Sequence, residues 1–303
     1  MPDAAASQDA PGQAGTVAGA IRKLACGFRQ ANLSTPELDA RLLVLAACGI
    51  AQENYVLCPE QPISPDAGHR IAAWYARRLR REPVSRIVGV REFWGRDFAL
   101  SPSTLDPRPE TETLIEAVLQ LVGEEGCREG PLKLLDLGTG TGCILLTLLA
   151  ELPRSWGLGV DIDAGALATA AQNADKHGLR SRSAFCCSDW TTALAGEFDC
   201  IVANPPYLGT QDIDGLAPEV SVYDPRRALD GGADGYHAYR RICRDVSAAA
   251  APGAWLALEA GAGQAPYISD LLVQSGWGPP GSSPRIYADL LGHDRVVVVR
   301  KHK

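Results

Sequence analysis

No run of this 303-residue sequence reaches the roughly 18 apolar residues of a membrane-spanning helix. A membrane anchor is therefore not expected. The first fifteen residues, MPDAAASQDAPGQAG, lack both a basic n-region and an apolar core. That composition argues against a secretory signal and predicts a disordered tail over residues 1–15. Nine cysteines are present, yet none forms a CxxC pair or joins a Cys/His cluster at metal spacing. They read as reduced packing thiols of a cytoplasmic protein, and no metal is expected. A positive excess is also missing. The net charge of −7 argues against stable nucleic-acid binding. What remains, at 46% hydrophobic and 21% charged residues, is an ordinary globular composition long enough for one large domain and one small one.

The pattern is helical from Val17 to about Arg81. Val17, Ile21, Leu24 and Phe28 recur at helical spacing. Ser34, Pro36 and Glu37 give a Ser-x-x-Glu helix start ahead of Leu38, Leu42 and Leu45, and Ser64-Pro65 starts another ahead of Ile71, Trp74 and Leu79. Residues 16–82 are thus expected to form a small helical bundle. "IVGVREFWGRDFALS" (87–101) alternates Val, Phe and Trp with polar residues around Gly95, as in a β-hairpin, and residues 83–105 read as the connector. Over 106–303 short apolar runs alternate with helical stretches. "KLLDLG", "LGVDID", "FDCIVAN", "AWLALEAG" and "DRVVVVRK" read as strands, while 143–152, 164–178 and 234–250 read as helices. Such alternation predicts an α/β, mostly parallel, doubly wound sheet that binds ligands at the carboxyl ends of its strands.

"DLGTGTGC" (136–143) lies between a strand and a helix, where Gly138, Gly140 and Gly142 let a ligand approach without a Cβ in the way. A plain tight βα turn is the bland alternative. Cys143 stands where a dinucleotide fingerprint needs its third glycine, and Gly-Lys-Ser/Thr is absent, so the loop suits a nucleoside without a pyrophosphate. Asp161 ends the next strand and is placed to accept hydrogen bonds from both ribose hydroxyls, whereas Asp163 is the better candidate for a helix N-cap. Asp189 could meet an adenine amino group and Trp190 could cover the ring, with a packed core tryptophan as the alternative. A glycine loop plus an acidic ribose clamp and no phosphate machinery points to S-adenosylmethionine. Here the chain resembles the class I methyltransferases.

"NPPY" (204–207) narrows the field, because this tetrapeptide recurs in methyltransferases acting on planar nitrogens. Such a nitrogen shares its lone pair with a π system, and its pKa is beyond any side-chain base at neutral pH. Two fixed acceptors can instead hold both N–H bonds, aim the lone pair and stabilise the positive charge that grows on nitrogen. The Asn204 side-chain oxygen and the Pro205 carbonyl are the candidates, with Tyr207 stacking on the planar group. An ordinary strand-ending turn is the alternative.

"EPVSRIVGVREFWG", "PRPETETLIE", "DGGADGYHAYRRI" and "DLLGHDRVV" add to these motifs in a consistent order. Together they resemble the peptide chain release factor N(5)-glutamine methyltransferase family (PrmC/HemK) from about Val17 to the C-terminus. The resemblance implies a seven-stranded Rossmann-like methyltransferase sheet behind a helical substrate-recognition domain. It implies methylation of the glutamine side-chain amide in the Gly-Gly-Gln motif of release factors 1 and 2. It further implies S-adenosylmethionine on Gly138, Thr139, Gly140, Thr141, Gly142, Asp161, Trp190 and Asn204, and the glutamine held by Asn204, Pro205, Pro206 and Tyr207. By the same token Arg108 and Glu112 line the pocket, with a helix-start role for Pro109 and Glu110 as the alternative.

"RRLRREPVSR" (77–86) carries five arginines against one glutamate, which suits either a solvated helix face or contact with an acidic partner or ribosomal RNA. The competing functions are an amino methyltransferase acting on adenine or guanine in nucleic acid, and a non-catalytic S-adenosylmethionine-binding scaffold. The acidic charge argues against the first, and the intact Asn204, Tyr207 and glycine loop argue against the second.

Overall fold

The computed structural model describes residues 15–278 and 282–302, so all of the expected tail except Gly15 lies outside the described residues. The chain divides into two units at the Gly89/Val90 junction.

The first unit is helical: α1 (Val17–Gln30), α2 (Pro36–Cys48), α3 (Gln52–Leu57), α4 (Pro65–Leu79) and α5 (Val84–Val88). Helix α1 is capped by the Thr16 hydroxyl, which accepts from the Gly19 amide, and α4 is capped in the same way by Ser64. Helix α2 departs from the expected start. Its N-cap is Thr35, one residue later than Ser34, and the Thr35 hydroxyl donates to Asp39 Oδ1 at 2.8 Å. Its buried face also differs, because Leu43, Val44 and Ala47 pack inward while Leu38 and Leu42 stay exposed. Phe28, Leu24, Leu43 and Ile71 form the centre of this unit.

The arginine-rich segment is largely engaged within the same unit. Arg78 donates to Asp39 at 2.7 Å in a buried pair, Arg77 forks onto Glu82, and Arg81 reaches the Asn32 carbonyl. These bonds hold three of the five arginines of 77–86 within this unit.

The second unit opens with the expected hairpin, β1 (Val90–Phe93) and β2 (Arg96–Ala99), turned at Trp94 and Gly95 with φ of 54° and 69°. It is not a free connector. Ala99 exchanges hydrogen bonds with the Asn173 side chain at 2.8 and 3.1 Å, and Lys176 donates to the Asp97 carbonyl. Then follow α6 (Glu112–Glu124), β3 (Lys133–Leu137), α7 (Cys143–Glu151), β4 (Trp156–Asp161), α8 (Ala164–Lys176), β5 (Ser183–Cys187), β6 (Phe198–Ala203) and α9 (Pro218–Ser221). The chain continues with α10 (His237–Asp245), β7 (Ala250–Glu259), α11 (Ala265–Gln274), β8 (Arg285–Ala288) and β9 (Asp294–Arg300). The helix expected over 234–250 is shorter at both ends. Gly235, at φ 78°, cannot continue a helix, and the last turn tightens into a 3₁₀ segment before β7.

The sheet order is β5-β4-β3-β6-β7-β9-β8, with β3 to β7 parallel and β9 antiparallel to both of its neighbours. Alternate residues feed opposite faces. Leu134, Val202, Ala257 and Val298 pack under α6 and α7, while Leu135, Ile201, Leu256 and Val297 pack under α10 and α11. The mostly parallel, doubly wound sheet is as the sequence predicts. Its carboxyl edge carries Leu137, Asp161, Ala203 and Glu259, and there a cavity opens.

Candidate active site

The cavity, about 350 Å³, is lined by the Gly138–Thr141 loop, Asp161, Asp189, Trp190, Asn204, Pro206 and Arg108, among others. Residues that lie far apart in sequence meet because β4, β3 and β6 are neighbours whose ends align. Glycine serves two purposes in the loop. A Cβ on Gly140 would meet nothing within 4 Å and would project into open space, whereas one on Gly142 would press Leu146 and Ala170 at 3.1 and 3.2 Å. Gly140 thus clears room for a ligand, and Gly142 lets α7 pack on α8.

Asp161 Oδ2 accepts from the Gly140 amide at 3.0 Å and Oδ1 from the Asp163 amide at 2.9 Å. Each oxygen keeps a further lone pair for a ligand hydroxyl. Burial raises its pKa, against the pull of those backbone N–H groups. Asp163, as expected, caps α8 by accepting from the Gly165 and Ala166 amides. Asp136, fully buried beneath the loop, takes the Thr139 hydroxyl at 2.6 Å, and burial pushes its carboxyl up to about 7. Trp190 adopts a left-handed backbone, φ 54°, and its ring lies beside Gly138. Asp189 lines the cavity but is also paired with Arg241 at 3.1 Å, a partner 52 positions away.

Asn204 follows the last residue of β6. Its Nδ2 donates to the Thr111 hydroxyl at 3.1 Å, while among the described residues its Oδ1 makes no hydrogen bond. Pro205 is buried, and Pro206 lines the cavity. The backbone beyond is clamped from three sides. Gln264 donates to the Tyr207 carbonyl at 3.0 Å, Leu208 bridges to the 229–231 segment, and a Cβ on Gly235 would stand 2.5 Å from the Tyr207 carbonyl. Burial pushes the Tyr207 phenol up to about 12. Arg108 lines the cavity and pairs with buried Asp224 at 2.5 Å. Glu112 does not line it. Its carboxylate accepts from the Trp94 amide and braces the hairpin turn, while Pro109 opens a short 3₁₀ turn ahead of α6.

Sequence reasoning passed over Thr111, Glu259, Ile162, Arg227 and Arg241. Glu259 had a visible signal, because a carboxylate inside the apolar run "AWLALEAG" is an anomaly by itself. Among the described residues no group of three His, Cys, Asp or Glu is arranged to hold a metal, and no helix is long and apolar enough to cross a membrane.

A glycine cradle that ends in open space, a half-buried carboxylate with spare acceptor capacity, apolar walls at Ile162 and Trp190, and no phosphate machinery fit S-adenosylmethionine. Sheet and site together define an S-adenosylmethionine-dependent methyltransferase. The family model of the PrmC N-terminal domain matches residues 20–89, and that of the Methyltransferase small domain matches 116–232. The "Release factor glutamine methyltransferase" of Rhodospirillum rubrum is 46% identical over 90% of this chain and 82% of its own length. That of Bradyrhizobium diazoefficiens is 43% identical over 94% and 95%. The chain belongs to the release factor glutamine methyltransferase family. A solved structure of the hMettl16 catalytic domain in complex with MAT2A 3'UTR hairpin 6 shares its fold, with a TM-score of 0.56 at 16% identity over 81% of this chain and 86% of that one.

Proposed function

We propose that the protein methylates the side-chain amide nitrogen (N5) of the glutamine in the Gly-Gly-Gln motif of peptide chain release factors 1 and 2. The observation that carries this reading is the amide of Asn204. It sits in the same cavity as the glycine loop and Asp161, with its Nδ2 committed to Thr111 and its Oδ1 left available.

Bound S-adenosylmethionine supplies an electrophilic methyl group on sulfonium sulfur. Gly138 to Gly142, Asp161, Asp189 and Trp190 hold that ligand in this reading, with Asp161 on the ribose and Trp190 along the adenine. Asn204 Oδ1 and the Pro205 carbonyl accept from the two N–H bonds of the incoming carboxamide. This fixes the plane of the amide so that the nitrogen lone pair, perpendicular to it, faces the methyl carbon. As nitrogen gains the methyl group, the methyl–sulfur bond breaks with its electron pair left on a neutral thioether; nitrogen becomes positive and loses one proton to water, and the same two oxygens stabilise the developing charge without reorganising. Tyr207, neutral at physiological pH, offers a flat surface to the planar amide.

The test is direct. Purified protein is incubated with S-adenosylmethionine and release factor 1 or 2, each with a Gln→Ala version of its Gly-Gly-Gln motif, and methyl groups are mapped by mass spectrometry. A single methyl group on that glutamine, absent from the Gln→Ala protein, is expected. Label on copurified nucleic acid with none on release factor would overturn the reading.

A further inference from the structure

We propose that Glu259 is a positioning residue that fixes which way round the Asn204 amide sits, acting through the Thr111 hydroxyl. The inference rests on the reading of Asn204 given above and adds the device that orients it.

Glu259 ends β7, and its strand neighbour is β6, where the Ala203–Leu258 pairing sets Asn204 beside Glu259. The carboxyl is 1% exposed, does not line the cavity and is too deep to touch substrate. The Thr111 hydroxyl and the Asn204 amide neighbour the carboxylate and favour its ionised form, while Oε2 is buried with no hydrogen-bond partner.

An Asn side chain has two ends of nearly equal shape, and only the oxygen end can accept from a substrate N–H. Thr111 alone cannot choose between them, since a hydroxyl both donates and accepts. An ionised carboxylate can only accept. With the Thr111 hydroxyl proton turned toward the neighbouring Glu259 carboxylate, its oxygen is left to accept, and it accepts from Asn204 Nδ2 at 3.1 Å. Asn204 Oδ1 is then left for the ligand. The member of the chain that cannot donate sets the polarity of the whole. A carboxylate behind the amide also draws positive charge toward Nδ2 and negative charge toward Oδ1, which strengthens the acceptor.

Burying a carboxylate this deeply opposes folding unless something requires it. Arg295 from β9 is the cation that favours the charge, whereas Glu110 ahead of α6 opposes it. Tyr207 and Tyr239 of α10 face the same group, and the Tyr239 hydroxyl donates to the Glu259 backbone carbonyl at 2.8 Å. Burial raises the carboxyl to about 7. Protonated Glu259 could donate to Thr111 and let the chain reverse, so turnover should rise as pH climbs through neutrality.

The test compares full-length wild type with Glu259→Gln. This variant keeps the shape but can donate to Thr111. Its kcat is expected to fall roughly 10- to 100-fold, the range seen when partners that orient a metal ligand are removed. Affinity for S-adenosylmethionine should stay unchanged, the rise of kcat through neutral pH should vanish, and thermal stability should not decrease. Thr111→Val removes the middle member and should lower kcat similarly, with Thr111→Ser recovering most of the loss. Independently of any substrate, the Asn204 side-chain NH₂ pair in a ¹⁵N spectrum, assigned by its loss in Asn204→Ala, should move with pH in wild type and not in Glu259→Gln. A kcat within about twofold of wild type, with an NH₂ pair that Glu259→Gln does not alter, overturns the inference. Wild type that methylates no release factor would refute the proposed function, and the NH₂ pair would still decide the role of Glu259.

Discussion

Replacing Gly235 with alanine separates two roles that one glycine combines. Its φ of 78° is left-handed, which costs an alanine about 1–2 kcal/mol whatever surrounds it. Its Cβ would also stand 2.5 Å from the Tyr207 carbonyl oxygen and 3.0 Å from Gln264 Nε2. To restore an ordinary 3.4 Å contact the carbonyl must retreat by about 0.9 Å, which strains or breaks the Gln264 bond that holds it. Losing that bond adds about 0.5–1.5 kcal/mol. Gly235→Ala should therefore destabilise the protein by about 1.5–3.5 kcal/mol. A misplacement near 1 Å next to the reacting groups costs up to about 100-fold in rate, so kcat should fall by that order while S-adenosylmethionine affinity holds. The control is Gly276→Ala. It shares the left-handed backbone, φ 82°, but its Cβ would meet nothing within 4 Å. Both variants should lose stability by thermal unfolding, and only Gly235→Ala should lose kcat at saturating cofactor. If Gly235→Ala turns over like Gly276→Ala, the claim that the 230–235 segment holds the NPPY backbone in register is wrong.

Three further outcomes follow from the site. Asn204→Ala should lose about 2–4 kcal/mol of transition-state stabilisation, read as kcat/KM, and leave S-adenosylmethionine affinity measured by calorimetry nearly unchanged. Asp161→Ala should weaken that affinity instead, and an unchanged dissociation constant would refute the ribose clamp. Asp136→Asn should gain stability relative to wild type as pH rises. The folded-state pKa of Asp136 is raised above its ordinary value to about 7, so the native state holds a proton that the unfolded state has lost. That contribution therefore fades between about pH 4 and pH 7. Urea midpoints at pH 5 and pH 8 measure it, and a difference between variant and wild type that does not change with pH would contradict it.

The cofactor half of the site was legible because each part is a local signature. A strand, a glycine turn and a helix start lie within "KLLDLGTGTGC", and Asp161 closes the next strand. Periodicity likewise gave the strands of the sheet centre, where continuous apolar runs mark burial on both faces. Its failures have a common physical origin. The inward face of α2 is chosen by what α1 and α4 present to it, so Leu43 and Val44 displace Leu38 and Leu42. The family resemblance implied a pocket role for Glu112, yet the helical turn carries it to the hairpin while Arg108 stays in the cavity. Strand β8 and helix α11 escaped because their short, mixed sequences take their structure from β9 and the sheet face they cover.

What sequence could not supply is the reason a rigid NPPY stays rigid. Two prolines limit local backbone freedom, but they say nothing about where the tetrapeptide sits relative to the rest of the sheet. That is decided by groups 24 to 93 positions away. Gly231 and Gly235 permit the close approach of a second segment, Gln264 ties down the Tyr207 carbonyl, and Thr111 engages the Asn204 amide. None of these residues has a signature of its own, since each is an ordinary Gly, Gln or Thr until the β6–β7 pairing brings it into place. The cofactor half rests on β3 and β4 and the acceptor half on β6 and β7, so the geometry between the two is the geometry of the sheet itself. A methyl transfer that needs donor and acceptor in line is thereby aligned by the most rigid element of the molecule, with loops adding only the terminal groups.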